Sequence, residues 1–410
     1  MIDLKALRAN PDIYRTSAQA RGMSADSIEA ALKLDVQRLE LTGQVDDLRA
    51  MLNVEGKPST EELTKLQDIK AKLAPLEAEL AKVEAELEGA ASNIPNILAE
   101  GTPKGGEEAN REERVWGEHP KANFELKDHM TLAEANDWLD FERGAKVAGS
   151  KFYFVKGSLV RLQFAVIQMI LQRMHAAGFT PMLVPNMVNS RVAAGTGFLP
   201  RGKERQIYKI EGEDLNLIAT AEMPMTGYYA DEILDPSQIP TAFIGYSPAY
   251  RMEAGAYGKY SKGLYRVHQF DKLEMYVFCL PEESGKWHDK LVEIEEDICQ
   301  ALELPYRVVR IAGGDLGAPA YKKYDIEYWS PVEQTYRELM SCSNVTDYQS
   351  RRLNIRYRDA SNKTQYLHTL NGTAAAFSRL AIAIMENHQQ ADGSVNVPVS
   401  LQNYYGGEKL

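Results

Sequence analysis

From Leu63 to Leu87 the apolar positions Leu63, Leu66, Leu73, Leu76, Leu80, Val83 and Leu87 recur at spacings close to alternating three and four. That period is a coiled-coil seam. Upstream, Leu34, Leu41, Val45, Leu48 and Leu52 supply a partner stripe. Between the stripes, "NVEGKPST" breaks both helices, because Gly56 and Pro58 cannot continue one. Ser59 or Thr60 caps the next helix, with Glu61 and Glu62 in its first turn. The pattern predicts an antiparallel helical hairpin with legs of about 26 residues, roughly 40 Å long at 1.5 Å per residue. Pro75 falls inside the returning helix and is expected to kink it.

The pattern changes near residue 93. "SNIPNILAEGTPKGGEEANRE" is rich in Pro, Gly and charge, as a linker is. Expected boundaries are therefore an N-terminal helical domain at 1–100, a linker at 101–120 and a second domain at 121–410. In the second domain, "SLVRLQFAVIQMILQRMHAAGF" is a helix with an apolar face closed by Gly178, and "TPMLVPNMV" is a strand ending near Pro185. "AYRMEA", "LYRVHQFDKLEMYVF" and "YRVVRI" read as strands, and "ESGKWHDKLVEIEEDICQAL" as a helix. "NGTAAAFSRLAIAIMENHQ" reads as a small-residue turn followed by a helix. Strands joined by hairpins, with helices packed outside and no βαβ rhythm, predict an α+β domain on an antiparallel sheet.

One hairpin carries unusual chemistry. In "YRMEAGAYGKYSKGLYRVHQFDKLEMY", strand alternation puts Arg266, His268, Phe270, Lys272, Glu274 and Tyr276 on one face. Arg251 and Glu253 share a face on the preceding strand. Tyr265, Val267, Leu273, Met275 and Val277 point the other way, into a core. A solvated sheet face is the plain reading. The sharper one is a floor for a flat, anionic ligand: arginine forks suit phosphate, and Phe270 can stack on a base. Glu274 lies about 13 Å further along the strand, at ~3.3 Å per residue, where it could meet an amino group. Glu338 and Ser341 are hard oxygen ligands of the kind Mg²⁺ takes together with substrate phosphates. Thr220 and Glu222 fall at i and i+2, again on one strand face. Gly372 and Thr373 precede a helix that presents Arg379. The chain has no GxGxxG and no GxxxxGK[ST], so a nucleotide would be held by side chains on the sheet.

Bulk properties narrow the setting. The 410 residues are 44% hydrophobic and 26% charged, with no run near the ~18 apolar residues of a membrane helix. The opening "MIDLKALRANPDIYR" lacks the apolar centre of an export signal. Cys279, Cys299 and Cys342 are scattered, with no CxxC or Cys/His spacing for zinc, so a reducing cytoplasm is the simplest home. The net charge of −11 excludes blanket salt-driven nucleic-acid binding but allows a local basic track. The hairpin itself is acidic, with 8 Lys/Arg against 15 Asp/Glu between Asp26 and Glu88. A nucleic-acid arm would have to gather Lys33, Arg38, Arg49, Lys65, Lys70 and Lys72 on limited faces; a spacer or dimerisation hairpin is the alternative.

Taken together, "RANPDIYR", "IPNI", "DFERGAKVAGSKFYFVKG", "GTGFLP", "TAE", "HQFDKLEM", "YDIEYW", "YRELMSCSN", "RRLNIRYR" and "HTLNGTAAAFSR" resemble the class II aminoacyl-tRNA synthetases, and within them the bacterial-type seryl-tRNA synthetases. The resemblance covers almost the whole chain. It implies a tRNA-binding helical arm and a catalytic domain that activates L-serine with ATP and charges tRNA(Ser), with tRNA(Sec) as a further acceptor. It also implies Mg²⁺ with ATP, no zinc, a homodimer whose first motif closes at Pro185, and no membrane. The ATP site would comprise Arg251, Met252, Glu253, Arg266, Phe270, Arg379 and the stretch Glu338, Leu339, Met340 and Ser341. Within it Arg251 holds the α-phosphate, Glu253 the adenine amino group, Arg266 the γ-phosphate end and Phe270 one face of the adenine. Arg379 takes the other face, and Glu338 and Ser341 hold Mg²⁺. Serine would fall to Thr220, Ala221, Glu222, Arg251, Glu274 and Thr373, with Thr373 reading the hydroxyl; catalysis would rest on Arg251, Arg379 and Glu338. Two motifs depart from the family pattern: Met340 stands where a Ser is usual, and Thr373, Ala374, Phe377 and Ser378 replace smaller residues. The rival reading is a synthetase paralogue that passes its adenylate to a carrier protein.

Overall fold

A computed structural model describes residues 2–53, 59–198, 206–253 and 262–410. The predicted break at Gly56 and Pro58, the end of "GTGFLP" and the middle of the charged hairpin (254–261) lie outside the described residues. The chain divides into two compact units, Met1–Ile97 and Leu98–Leu410.

The first unit is helical: α1 (Leu4–Ala9), α2 (Pro11–Ala20), α3 (Asp26–Leu52) and α4 (Thr60–Ser92). Ser59 caps α4, its hydroxyl accepting from the Glu62 amide while the Glu62 carboxylate accepts from the Ser59 amide. This reciprocal pair satisfies two donors that the helix start leaves open. The helix runs on through Pro75, which lacks the N–H for one rung of the ladder. Along the α3–α4 seam, Val45, Leu73, Val83 and Leu87 are buried, while Leu63 remains exposed. Asp35 is closed from solvent on α3 and pairs with Arg8 of α1 and with Arg38 of its own helix, so the contact between α1 and α3 is ionic. Arg49 is committed to Glu77 across the hairpin at 2.7 Å. Lys33, Lys65, Lys70 and Lys72 are exposed.

The second unit is built on one eight-stranded sheet. In chain order its strands are β1 (Arg111–Trp116), β2 (Thr180–Leu183), β3 (Thr241–Tyr250), β4 (Gln269–Cys279), β5 (Tyr306–Arg310), β6 (Lys322–Ser330), β7 (Thr335–Thr346) and β8 (His368–Ala376). They lie in the order β1-β5-β6-β7-β8-β4-β3-β2. Every neighbouring pair is antiparallel except β2 with β3. Helices α5 (Ser158–Ala176), α7 (Ser284–Ala301) and α8 (Phe377–His388) share one core with the back of this sheet. The reason is visible in α5, where Leu159, Leu162, Val166, Met169 and Ile170 make one apolar stripe. On the front, α6 (Glu222–Gly227) and the helix Tyr348–Leu353 flank Tyr276 and Phe278 in a smaller core. Among the described residues, the rest of the front stays open.

Several expectations are corrected. The segment expected as linker carries β1, whose residues are all exposed, as suits a charged edge strand. β3 ends at Tyr250, so Arg251 and Glu253 follow the strand, and Glu253 has φ +47°. β4 starts only at Gln269; Gly263–Tyr265 is one turn of 3-10 helix, and Arg266 and His268 precede the strand. Thr220 and Glu222 do not share a strand face, because Glu222 opens α6. Thr373 sits in β8 rather than on a turn. Its small neighbours allow that strand to thread between β7 and β4: a side chain at Gly372 would lie 3.0 Å from Met275 Cε.

Candidate active site

From Phe270 to Cys279, β4 alternates cleanly. Leu273, Met275, Val277 and Cys279 join the back core, which leaves Phe270, Lys272 and Glu274 on the front. Beyond the end of β3, the Arg251 amide still donates to the His268 carbonyl at 3.0 Å, and His268 Nδ1 lies 2.9 Å from the Arg251 carbonyl oxygen. This pairing holds Arg251 over Phe270, with the guanidinium carbon 5.2 Å from the ring centroid. Burial and the nearby Arg379 press the Arg251 pKa down, which marks it as a cation short of negative partners.

Two β-bulges shape the rest. Ile326 pairs with Met340 and Glu327 with Glu338, so Leu339 is an extra residue in β7. Glu338 and Ser341, three apart, would face opposite sides of a regular strand; the bulge brings both to the front, opposite Glu327 and Asp325. In β8, Thr373 pairs with Glu274 and Ala375 with Leu273, so Ala374 is extra. Thr373 and Ala376 then share the front face. The strand passes directly into α8, which brings Arg379 to Glu338 at 3.0 Å. Arg379, Lys323 and Arg251 surround the half-exposed Glu338 carboxyl and hold it well below the usual carboxylate range, at about 2.

These residues line an open cleft of about 520 Å³, counting the space at its mouth that is open to solvent, with Arg251, Glu253, Phe270, Glu338, Ser341, Thr373 and Arg379 on its walls. Leu339 and Met340 border it as well, although each is buried in the core behind. Arg266 joins through Glu253, at 3.1 Å. Met252 is partly exposed beside them. Arg266 and Arg379 are thus paired with carboxylates that an anionic ligand could replace.

Glu274, Thr220, Ala221 and Glu222 are closed from solvent and reach the cleft through Lys272. The Lys272 ammonium pairs with the Glu274 carboxylate and donates to Thr220 Oγ1 at 3.2 Å. Glu222 Oε1 accepts from Gln349 Nε2 at 2.7 Å and Asn371 Nδ2 at 3.1 Å. Burial and the Glu274 charge raise Glu222 to about 7. Lys272, Asn371 and Gln349 were not singled out as site residues from the sequence. The β4 alternation already put Lys272 on the front face without giving it a role; the other two leave no local signal. Glu338 and Ser341 share the cleft's front with Asp325, an oxygen-donor set that fits Mg²⁺. Among the described residues no cluster of three or more His, Cys, Asp or Glu is arranged to hold a metal ion by itself.

Comparison with known proteins carries the site further. Residues 207–388 match the tRNA synthetase class II core domain (G, H, P, S and T), and residues 1–98 match the seryl-tRNA synthetase N-terminal domain. A serine–tRNA ligase of Dictyoglomus turgidum is 45% identical over 99% of this chain and 98% of its own. The chain belongs to the seryl-tRNA synthetase family. A second such synthetase, the serine–tRNA ligase of Rubrobacter xylanophilus, is 44% identical over 100% of this chain and 99% of its own. The crystal structure of the Pyrococcus horikoshii seryl-tRNA synthetase complexed with ATP superposes with a TM-score of 0.94 at 39% identity, covering 100% of this chain and 99% of that one. The cytoplasmic serine–tRNA ligase of Naegleria fowleri in complex with AMP gives 0.87 at 31% identity, covering 98% and 95%. Of the two family models, the N-terminal one is specific to seryl-tRNA synthetases, whereas the core one spans the G, H, P, S and T enzymes.

Proposed function

We propose that the chain is a serine–tRNA ligase that converts L-serine and ATP to seryl-adenylate and diphosphate, then transfers the seryl group to the 3′ end of tRNA(Ser). The observation that carries this reading is the cleft in which Arg251, Phe270, Glu338 and Arg379 meet Thr373 and the Lys272–Glu274 pair. The first step needs no general base. The ionised serine carboxylate attacks the α-phosphorus, a C–O–P linkage forms, and diphosphate leaves with the electron pair of the broken P–O bond. Arg251 takes the α-phosphate, and its own loss of solvation makes that contact stronger. Arg266 releases Glu253 to reach the γ-phosphate end, which frees Glu253 for the adenine amino group. Phe270 and Arg379 sandwich the adenine, with Met252, Leu339 and Met340 beside it. Mg²⁺ held by Glu338 and Ser341 with the phosphates would supply charge neutralisation. Thr220, Ala221, Glu222, Glu274 and Thr373 form the serine pocket, where Glu274 meets the ammonium and Thr373 the hydroxyl. In the second step the terminal ribose hydroxyl attacks the adenylate carbonyl carbon and AMP leaves.

The finer assignments follow from the same reading. The helical arm grips the long variable arm of tRNA(Ser), through exposed lysines such as Lys33, Lys65, Lys70 and Lys72; tRNA(Sec) is a second acceptor of the same shape. Homodimerisation uses β2 and α5. β2 is an edge strand with Leu183 85% exposed, and Phe164 on the adjacent α5 is 58% exposed. The work belongs in the cytoplasm, where translation consumes the product. No helix among the described residues is long and apolar enough to cross a membrane. The test is pyrophosphate exchange with each of the twenty amino acids, followed by charging of total tRNA. Exchange with serine alone and charging of serine-accepting tRNA are expected; serine-dependent exchange without any tRNA charging would point to another acceptor.

A further inference from the structure

Helix α7 packs against the back of β7, β8 and β4, and its contact face is mostly apolar: Leu291, Val292, Ile298 and Cys299. Glu295 lies among them, closed from solvent; its carboxyl faces the Thr373 backbone amide, which favours its charged form, but the contact falls short of a well-formed hydrogen bond. A carboxyl in that position is costly unless it serves a polar group nearby. The polar group is the backbone of β8. Gly372 faces back between Met275 and Cys342, and a side chain there would lie 3.2 Å from Glu295 Oε1. The missing side chain is what lets the carboxyl come up against the strand.

That stretch of β8 is also where the ladder stops. Pairing with β7 runs up to Gly372 opposite Cys342 and goes no further, and on the β4 side Ala374 is bulged out. A bulge leaves backbone groups without a ladder partner. Thr373 therefore sits at the end of one ladder and the edge of a break in the other, with its side chain in the cleft opposite Glu274. Burial, Asp325 and Glu274 drive the Glu295 carboxyl toward its protonated form, against the opposing pull of the Thr373 backbone and Lys272. A protonated carboxyl offers both a donor and an acceptor to backbone groups.

We propose that Glu295 is a positioning residue for the amino-acid pocket: its carboxyl stands in for a ladder partner of the Thr373 backbone and thereby sets the discrimination between serine and alanine. The inference rests on Thr373 being the residue beside the substrate hydroxyl. The experiment measures pyrophosphate exchange for wild type, Glu295→Ala, Glu295→Gln, Gly372→Ala and Thr373→Val, with serine, alanine and ATP each varied. Glu295→Ala should raise the serine KM by about 10-fold or more and narrow the serine/alanine ratio, while the ATP KM moves by less than about twofold. Glu295→Gln keeps the size, a donor and an acceptor, and should restore wild-type behaviour. An unchanged serine KM in Glu295→Ala, an equal loss for serine and ATP, or a failure of Glu295→Gln to restore function overturns the proposal. Should Glu295→Ala not fold, Gly372→Ala decides: its methyl displaces only the carboxyl and the end of Met275, and a wild-type serine KM there overturns the proposal too. Thr373→Val separates the two layers of inference. A changed serine/alanine ratio in Thr373→Val with none in Glu295→Ala removes Glu295 alone. No change in Thr373→Val moves the hydroxyl contact to Glu274 or Glu222 and removes the Glu295 proposal.

Discussion

The helical hairpin draws its buried side chains from one seam between two consecutive helices, whereas the cleft gathers Thr220, Arg251, Glu274, Glu338, Thr373 and Arg379 from separate strands and helix ends. In the hairpin, position follows from a period of about 3.6 residues, and a single exposed side chain can be exchanged without moving its neighbours. In the cleft, position depends on register between strands distant in sequence, and one extra residue changes which side chains meet. The two units therefore call for different perturbations: the hairpin should fail as a whole module, and the cleft at single atoms.

The largest effect should come from Arg251→Ala. It removes a phosphate clamp and should lower serine-dependent exchange, and charging with it, by about 2–4 kcal/mol of transition-state stabilisation. Its guanidinium rests on Phe270 and donates one long hydrogen bond to the Ala219 carbonyl, so the melting profile should change little. Exchange above half of wild type would remove Arg251 from the chemistry.

Deleting Ser27 to Glu88 and closing the gap with a short linker should act on one step only. Serine-dependent exchange should persist, because every cleft residue lies in the second unit. Charging of tRNA(Ser) should be nearly eliminated. Normal charging by the shortened protein would reduce the hairpin to a spacer, a reading its acidic composition permits. A smaller effect is expected of Thr373→Val, which keeps shape and removes a hydroxyl. A site that hydrogen-bonds a substrate hydroxyl rejects the analogue lacking it by about 10³-fold or more, and the variant should narrow that gap while sparing ATP binding. Exchange assays with serine, alanine and threonine decide it. An unchanged ratio would shift the hydroxyl contact to Glu274 or Glu222.

The same contrast explains what could be read in advance. The α3–α4 seam, the Ser59 cap and the long apolar helices are local patterns, and each is present as the spacing predicts. The β4 alternation from Phe270 to Cys279 is equally local. The start of that strand was misplaced because the alternation in "YRVHQ" continues upstream, where a 3-10 turn intervenes instead. The run from Gly372 to Ala376 read as a turn because such residues have weak strand preference; cross-strand pairing with β4 and β7 overrides it. The bulges at Leu339 and Ala374 leave no compositional mark, yet the first decides that Glu338 and Ser341 share a face and the second that Thr373 and Ala376 do. Motif resemblance named those residues, and only register explains how they come together.

The finest contrast is in pH dependence. Glu222 holds two amide donors, from Gln349 and Asn371, in a closed site, while burial and Glu274 raise it from 4.5 to about 7. Its folded pKa therefore lies above its unfolded one. Below about pH 4.5 the carboxyl is protonated in both states, and its contribution to stability is fully present. Between about 4.5 and 7 the unfolded chain releases this proton while the folded protein keeps it, so the contribution is lost as pH rises through that window. Glu222→Gln carries no ionisable proton. The difference between wild-type and variant thermal midpoints should therefore fall steadily from pH 4.5 to 7 and level off above, whatever constant offset the amide introduces. The hairpin provides the internal control, since its carboxylates lie outside this site and are common to both proteins. A midpoint difference that stays flat across the range would mean that Glu222 is already ionised throughout, with Lys272 and Arg251 overcoming its burial.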